Sequence, residues 1–230
     1  MSRLVSRVGF WSAVLSTVWA GGFAIVSVAL ALAFPGGEWR GIEAYVASYR
    51  PVQAVPPVLL SFLLAPTLVV LVAAIHTAVI EPRRLLSLIA LAFTIVYAAV
   101  VSTNYLLQMA WVRGLILRGE GEGLGLLVLG NPRSAFWALE VLAYGFHVLG
   151  LVFLAPLFGP AGPGRWVRWI FILNGVATGV AFLVYLLTAD AWHPLVLVSL
   201  GVWAITFPIA TALLALLFRR GEALGGEAAP

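Results

Sequence analysis

The run Pro132–Phe158, PRSAFWALEVLAYGFHVLGLVFLAPLF, decides the fold. A membrane-crossing helix needs roughly 20 mostly apolar residues, and this run supplies them with Glu140 as its one acid. Five further stretches meet the same requirement. The six together predict an all-α polytopic membrane helix bundle, with transmembrane helices near Val8–Phe34, Pro56–Ile80, Leu85–Trp111, Pro132–Phe158, Val167–Thr188 and Pro194–Phe218. They form a single membrane domain over residues 1–230. The first span is too apolar and too long for a cleavable signal, and Phe34-Pro35 is unlike a small-residue cleavage site.

Composition agrees. The chain is 63% hydrophobic and 10% charged, with a mean hydropathy of +1.07. Soluble domains carry about 25% charged residues, and disorder requires low hydrophobicity; both classes are excluded. All 13 basic residues are Arg, and neither Lys nor Cys occurs. Schiff-base chemistry, including a retinal pump, thiol nucleophiles, thiolate metal sites and disulfides are therefore ruled out.

The arginines orient the chain. Arg3, Arg7, Arg83, Arg84, Arg165, Arg168, Arg219 and Arg220 fall on one side of a six-span topology. Arg40, Arg50, Arg113, Arg118 and Arg133 fall on the other, spread over long loops. The positive-inside rule then predicts both termini cytoplasmic, in the cytoplasmic (inner) membrane. The net charge of +4 is topology information; no basic cluster exceeds two adjacent residues, and no nucleic-acid partner is expected.

Two outer connections are long, 35–55 and 112–131. The second holds short apolar runs, Leu115–Leu117 and Leu124–Leu129, which would be wet in a free loop. A segment packed over the bundle is expected. Asn131-Pro132 and His193-Pro194 read as helix starts, with a capping side chain before a proline at the first helical position. Pro66 and Pro208 lie inside spans and are expected to kink them. Gly175-Val-Ala-Thr-Gly179 permits close helix approach, better read as packing within the bundle than as a dimer contact.

Ionisable groups within a bilayer are functional candidates. Trp137, Glu140, Tyr144 and His147 share one face of span four. Asn104 and Gln108 stand one turn apart on span three. At 1.5 Å rise per residue, Asn104 and Glu140 lie roughly 10 and 12 Å below the outer end of their antiparallel helices, so span three can hydrogen-bond Glu140. His76, His147 and His193 lie at different depths, which disfavours a shared metal. His147 is expected to pair with Tyr144, Glu140 or a backbone carbonyl. Nucleotide-binding motifs are absent, and no cofactor is expected.

One region resembles a group of small bacterial multi-spanning integral membrane proteins without an assigned activity. The likeness rests on Asn104–Gln108 (NYLLQ), Glu120–Leu124 (EGEGL), Asn131–Glu140 (NPRSAFWALE) and Ala155–Phe158 (APLF), about a quarter of the chain. It implies that Asn104, Gln108, Asn131 and Glu140 form one unit, and it implies no reaction.

The expectation is an outward-opening polar pocket between spans three and four, binding a small or lipid-like ligand through Asn104, Gln108, Trp137, Glu140, Tyr144 and His147. Membrane lipid is the expected surrounding partner. Two rivals stay open: a small transporter or transport subunit with Glu140 coupled to protons, and an accessory subunit in which the polar groups only clamp helices. An intramembrane enzyme acting on lipid is less favoured, since no nucleophile or metal cluster is evident.

Overall fold

The computed structural model describes residues 1–35 and 38–221; residues 36–37 of the first long connection, and the tail beyond Gly221, lie outside the described residues. Six helices are long and apolar enough to cross a membrane. They are α1 (Arg3–Ala33), α3 (Pro51–Ala78), α4 (Arg84–Leu106, extended below), α6 (Ala135–Leu154), α7 (Gly162–Thr188) and α8 (Pro194–Arg220). Two short helices, α2 (Ile42–Ser48) and α5 (Arg113–Leu117), lie in the long connections.

Each long helix packs antiparallel against its neighbour in sequence, and α8 returns to α1, so the six close into a ring. The eight paired arginines gather at one end of this ring, here called the arginine end. The long connections cover the other, the capped end.

Closure of the ring rests on small residues and hydroxyls. Gly9 of α1 lies under the Phe218 ring of α8, where any Cβ would overlap it. The Ser6 hydroxyl donates to the Phe218 carbonyl at 2.6 Å, and Thr17 and Thr211 share a hydrogen bond at 2.9 Å. Between α6 and α7, Gly175 packs against Val152, whose Cγ2 would lie 2.9 Å from a Cβ there. Gly179 meets nothing within 4 Å. The glycine pair thus serves packing inside the bundle, through its first member. Asn174 Nδ2 ties α7 to α8 by donating to Thr206 Oγ1 at 2.8 Å.

Several boundaries differ from those read in the sequence. Span four begins at Ala135 behind Ser134, not at Pro132. Asn131 does not cap it. Its Oδ1 accepts from the Arg133 amide at 3.0 Å and its Nδ2 donates to the Gly125 carbonyl at 2.7 Å. Asn131 therefore builds a turn of the long connection; an Asx turn competes with the cap for the same side chain. His193 does cap α8, its Nδ1 accepting from the Leu195 amide at 3.3 Å. Both α3 and α8 run unbroken through Pro66 and Pro208.

Span three does not stop at Trp111. α4 passes into a π-helical turn at Leu107–Val112 and on into α5. The apolar run Leu115–Leu117 is thereby helix, and its buried Ile116 starts a second small core. That core comprises Val112, Ile116, Leu124 and Val128, with Trp39, Tyr45 and Tyr49 from the first connection packed against it. The two long connections thus fold together as a cap.

The contrast among glycines is testable. Gly9→Val should lower stability by about 1–3 kcal/mol, the usual cost of overpacking, and Gly179→Ala should not lower it. Thermal unfolding of the purified variants in detergent would measure both; equal melting of Gly9→Val and the parent would contradict the close contact with Phe218.

Candidate functional site

Glu140 is placed by α6 facing α4, and α4 supplies its partners. Asn104 Nδ2 donates to Glu140 Oε2 at 3.3 Å and to the Phe136 carbonyl at 3.1 Å. The Tyr105 hydroxyl donates to Glu140 Oε1. Asn104 and Tyr105 are both buried. Adjacent residues ordinarily diverge by about 100° around a helix, and this pair flanks the α6 contact to hold one carboxylate oxygen each.

Gln108 does not join them. Its Nε2 donates to the Leu127 carbonyl at 2.7 Å, and its Oε1 accepts from the Leu129 amide at 3.3 Å. Trp137 does related work from α6, its indole N–H donating to the Leu129 carbonyl at 2.9 Å. Gln108 sits in the π turn, a distortion frequent at functional positions. Here the π turn presents a side chain that pairs backbone groups of the loop above it.

His147 is buried one level deeper and has a partner absent from the sequence reading. Its Nε2 accepts from the Trp203 indole N–H at 3.3 Å. An indole nitrogen can only donate, so Nε2 presents its lone pair and the ring proton sits on Nδ1. His147 packs face-near against Tyr97, with centroids 4.8 Å apart, and edge-on to Phe207 at 5.1 Å. Among the described residues it bonds neither Glu140 nor a carbonyl. Tyr144 lies beside it, edge-on to Tyr97 at 5.7 Å and to Trp203 at 5.4 Å.

Tyr105, Trp137, Glu140, Tyr144 and Trp203 line a cavity of about 260 Å³. Its polar lining is Tyr105, Glu140 and Tyr144, with Ser61 of α3, Ser27 of α1, Thr178 of α7 and Ser199 of α8. The Ser61 hydroxyl is buried without a hydrogen-bond partner. Most of the remaining lining is apolar: Phe23, Val58, Phe182, Leu200 and Trp203 among others. The cavity is therefore not confined to spans three and four; all six long helices contribute. Asn104, Gln108 and His147 do not line it. Toward the capped end its lining includes Leu129 and buried Ala191. The Ala191 amide donates to the Pro132 carbonyl at 3.2 Å, joining the α7–α8 turn to the cap.

Toward the arginine end the bundle is filled. Leu64, Leu71, Leu154, Phe171 and Leu214 are almost wholly buried. A void beside His147, toward Leu68 and Leu214, holds only about 20 Å³. The site is a cup with a closed floor. The other histidines stand apart from it: His76 Nδ1 meets Ser87 Oγ at 2.9 Å, and His193 caps α8.

Tyr105, Ser61 and Trp203 were absent from the sequence reading. A signal for Tyr105 existed, since it follows Tyr97 by eight residues and so shares its helix face. Ser61 and Trp203 reach the site only through ring closure, which leaves no local mark.

Comparison with protein-family models, with curated proteins and with solved structures gives no match.

Two outcomes follow for the cap. Gln108→Leu would leave two backbone groups unpaired, at about 1–3 kcal/mol for each buried group. It should lower melting while leaving the Asn104–Glu140 contact in place, as read by thermal unfolding and the Asn104 side-chain amide NMR signals. Tyr45 is the second. Burial pushes its phenol up to about 12 from 10, with Tyr49 adding to the rise and the Gly130 backbone opposing it. A raised acid favours the protonated folded form below pH 10, and that contribution fades as pH rises from 10 to 12. Ultraviolet titration against Tyr45→Phe should show one tyrosine ionising near pH 12; ionisation near 10 would mean the ring is not held by the cap.

Proposed function

We propose that this chain is a multi-pass protein of the cytoplasmic membrane with both termini in the cytoplasm, and that its cup binds a small or lipid-like ligand through Glu140. The arginine distribution supports the orientation. The observation that carries the binding role is Glu140 itself, a carboxylate forming part of a mostly apolar cavity wall. A carboxylate offers about four lone-pair positions, and two donors from α4 occupy only part of them. The remainder faces a space into which a ligand donor can point.

Ligand sites combine apolar walls with a few converging polar groups. Tyr105, Glu140, Tyr144 and Ser61 fit that description, with Tyr144 and Trp137 as amphipathic walls. Asn104 acts through Glu140 by fixing its carboxylate, and Gln108 acts through the cap. The closed floor favours binding over passage across the bilayer. Proton-coupled transport would need the packed layer around Phe171 and Leu214 to part.

The test is chemical extraction. The protein, reconstituted in nanodiscs of defined phospholipid after purification from its expression host, would be extracted with solvent and the extract identified by mass spectrometry. One compound enriched over empty nanodiscs, and depleted severalfold by Glu140→Gln at unchanged melting temperature, is the expected result. No enrichment, or enrichment indifferent to Glu140→Gln, would refute the binding role.

A further inference from the structure

The wall of the cup is not equally tight all round. At the level of the aromatic floor and below, α1 and α8 are pinned by the Thr17–Thr211 hydrogen bond, and a Cβ on Gly21 would lie 3.9 Å from Pro208 Cβ. Both stripes can be followed toward the capped end. On α1, Val28 lies seven residues beyond Gly21, hence on nearly the same face; it is 61% exposed. On α8, Leu197 and Gly201 precede Pro208 by eleven and seven residues, again on that face. Leu197 is 47% exposed, and a Cβ on Gly201 would meet no atom within 4 Å. The facing helices are thus in contact as far as the edge-on Phe23–Trp203 pair, with centroids 6.0 Å apart, and the stripes part beyond it, at Val28, Leu197 and Gly201.

Two other seams beside the cavity are tied by side-chain hydrogen bonds. α4 and α6 are joined through Glu140, and α7 and α8 are joined by Asn174–Thr206 and, nearer the cap, by Ser199–Thr178 at 3.5 Å. No comparable side-chain bond joins α1 to α8 above Thr17 among the described residues. The gap is continuous with the cup, because Ser27 of α1 and Leu197 of α8 both line it. The aqueous end, in contrast, carries the cap with Leu129 and Ala191 as walls.

Resting on the reading that the cup binds a ligand, we infer that the ligand is a single-chain amphiphile that enters sideways from the bilayer between α1 and α8. Its donor-bearing head, a hydroxyl or an amine, lies on Glu140 beside Tyr144 and Ser61, and its chain runs out past Ser27 and Leu197 into the lipid. Size supports one chain. Ligand pockets generally span roughly 300–1,000 Å³, and this cavity, at 260 Å³, takes a compact head and the first part of a chain. A water-soluble ligand would have no need of an aperture toward lipid.

The probe is a monoacylglycerol with a diazirine in its acyl chain, supplied within nanodiscs and photolysed, with adducts mapped by peptide mass spectrometry. A short-chain, water-soluble glycerol ether carrying the same diazirine tests access from the aqueous end. Adducts on the cavity residues Ser27, Leu200 and Trp203 are expected from the long-chain probe. They should be lost in Gly201→Trp and in Val28→Trp, which fill the seam, while adducts on outward-facing Ile205 persist. Thermal unfolding confirms that these variants fold, and two independent positions guard against the failure of one.

Cavity adducts that survive both substitutions would overturn lateral access and leave the binding role standing. So would cavity labelling by the water-soluble probe alone. Cavity labelling by neither probe, together with no enriched compound on extraction, would overturn the binding role as well.

Discussion

A carboxylate inside an apolar bundle has to be paired, because leaving it bare in low dielectric costs far more than any single packing contact returns. The protein meets that requirement from one helix. Asn104 and Tyr105 of α4 each take one oxygen of Glu140 on α6. The pairing sets the register of α4 against α6. It brings Gln108, one turn farther along, beneath the long connection, where it fixes Leu127 and Leu129. Trp137, three residues before Glu140, reaches the same strand of chain from the other side. The ion-holding contact and the loop-holding contacts are thus consecutive turns of the same two helices.

Membrane character was plainly legible in the sequence, since a run such as Pro132–Phe158 admits few other structures. The Asn104–Glu140 contact was legible too, because consecutive antiparallel spans make depth computable from residue counting. What failed was whatever depended on partners distant in sequence. His147 reads as pairing with Tyr144, Glu140 or a backbone carbonyl, whereas its donor is Trp203, 56 residues away. Spacing leaves Asn104 and Gln108 as alternative partners of Glu140; the π turn directs Gln108 to the loop instead. Asn131 carries an Asn-Pro signature that also fits a turn, and the turn won because the chain there still has to cover the bundle end.

Hydrophobic periodicity was of little help in placing the cavity. A helix in a lipid-facing ring is apolar on both its faces, so the stripe that marks the inside of a soluble helix is erased. Polar residues took over that role. Ser61, Thr94, Asn174, Ser199 and Thr211 are all buried, and they mark the inward or helix-facing sides that hydrophobicity could not. Glycine supplied the remaining detail: Gly9 and Gly175 sit where a neighbouring helix presses close, and Gly201 where none does.

The ring is closed by its first and last members. Ser6 bonds a carbonyl 212 residues away, and Thr17 a side chain 194 away. Chains are made from the N-terminus onward, and contacts of such long sequence separation form late. Five helices can be inserted and can pair with their neighbours while α1 still presents an unfilled flank to the lipid. The cup therefore has no fourth side, so to speak, until α8 arrives, and a chain that loses its last helix loses the chamber along with it.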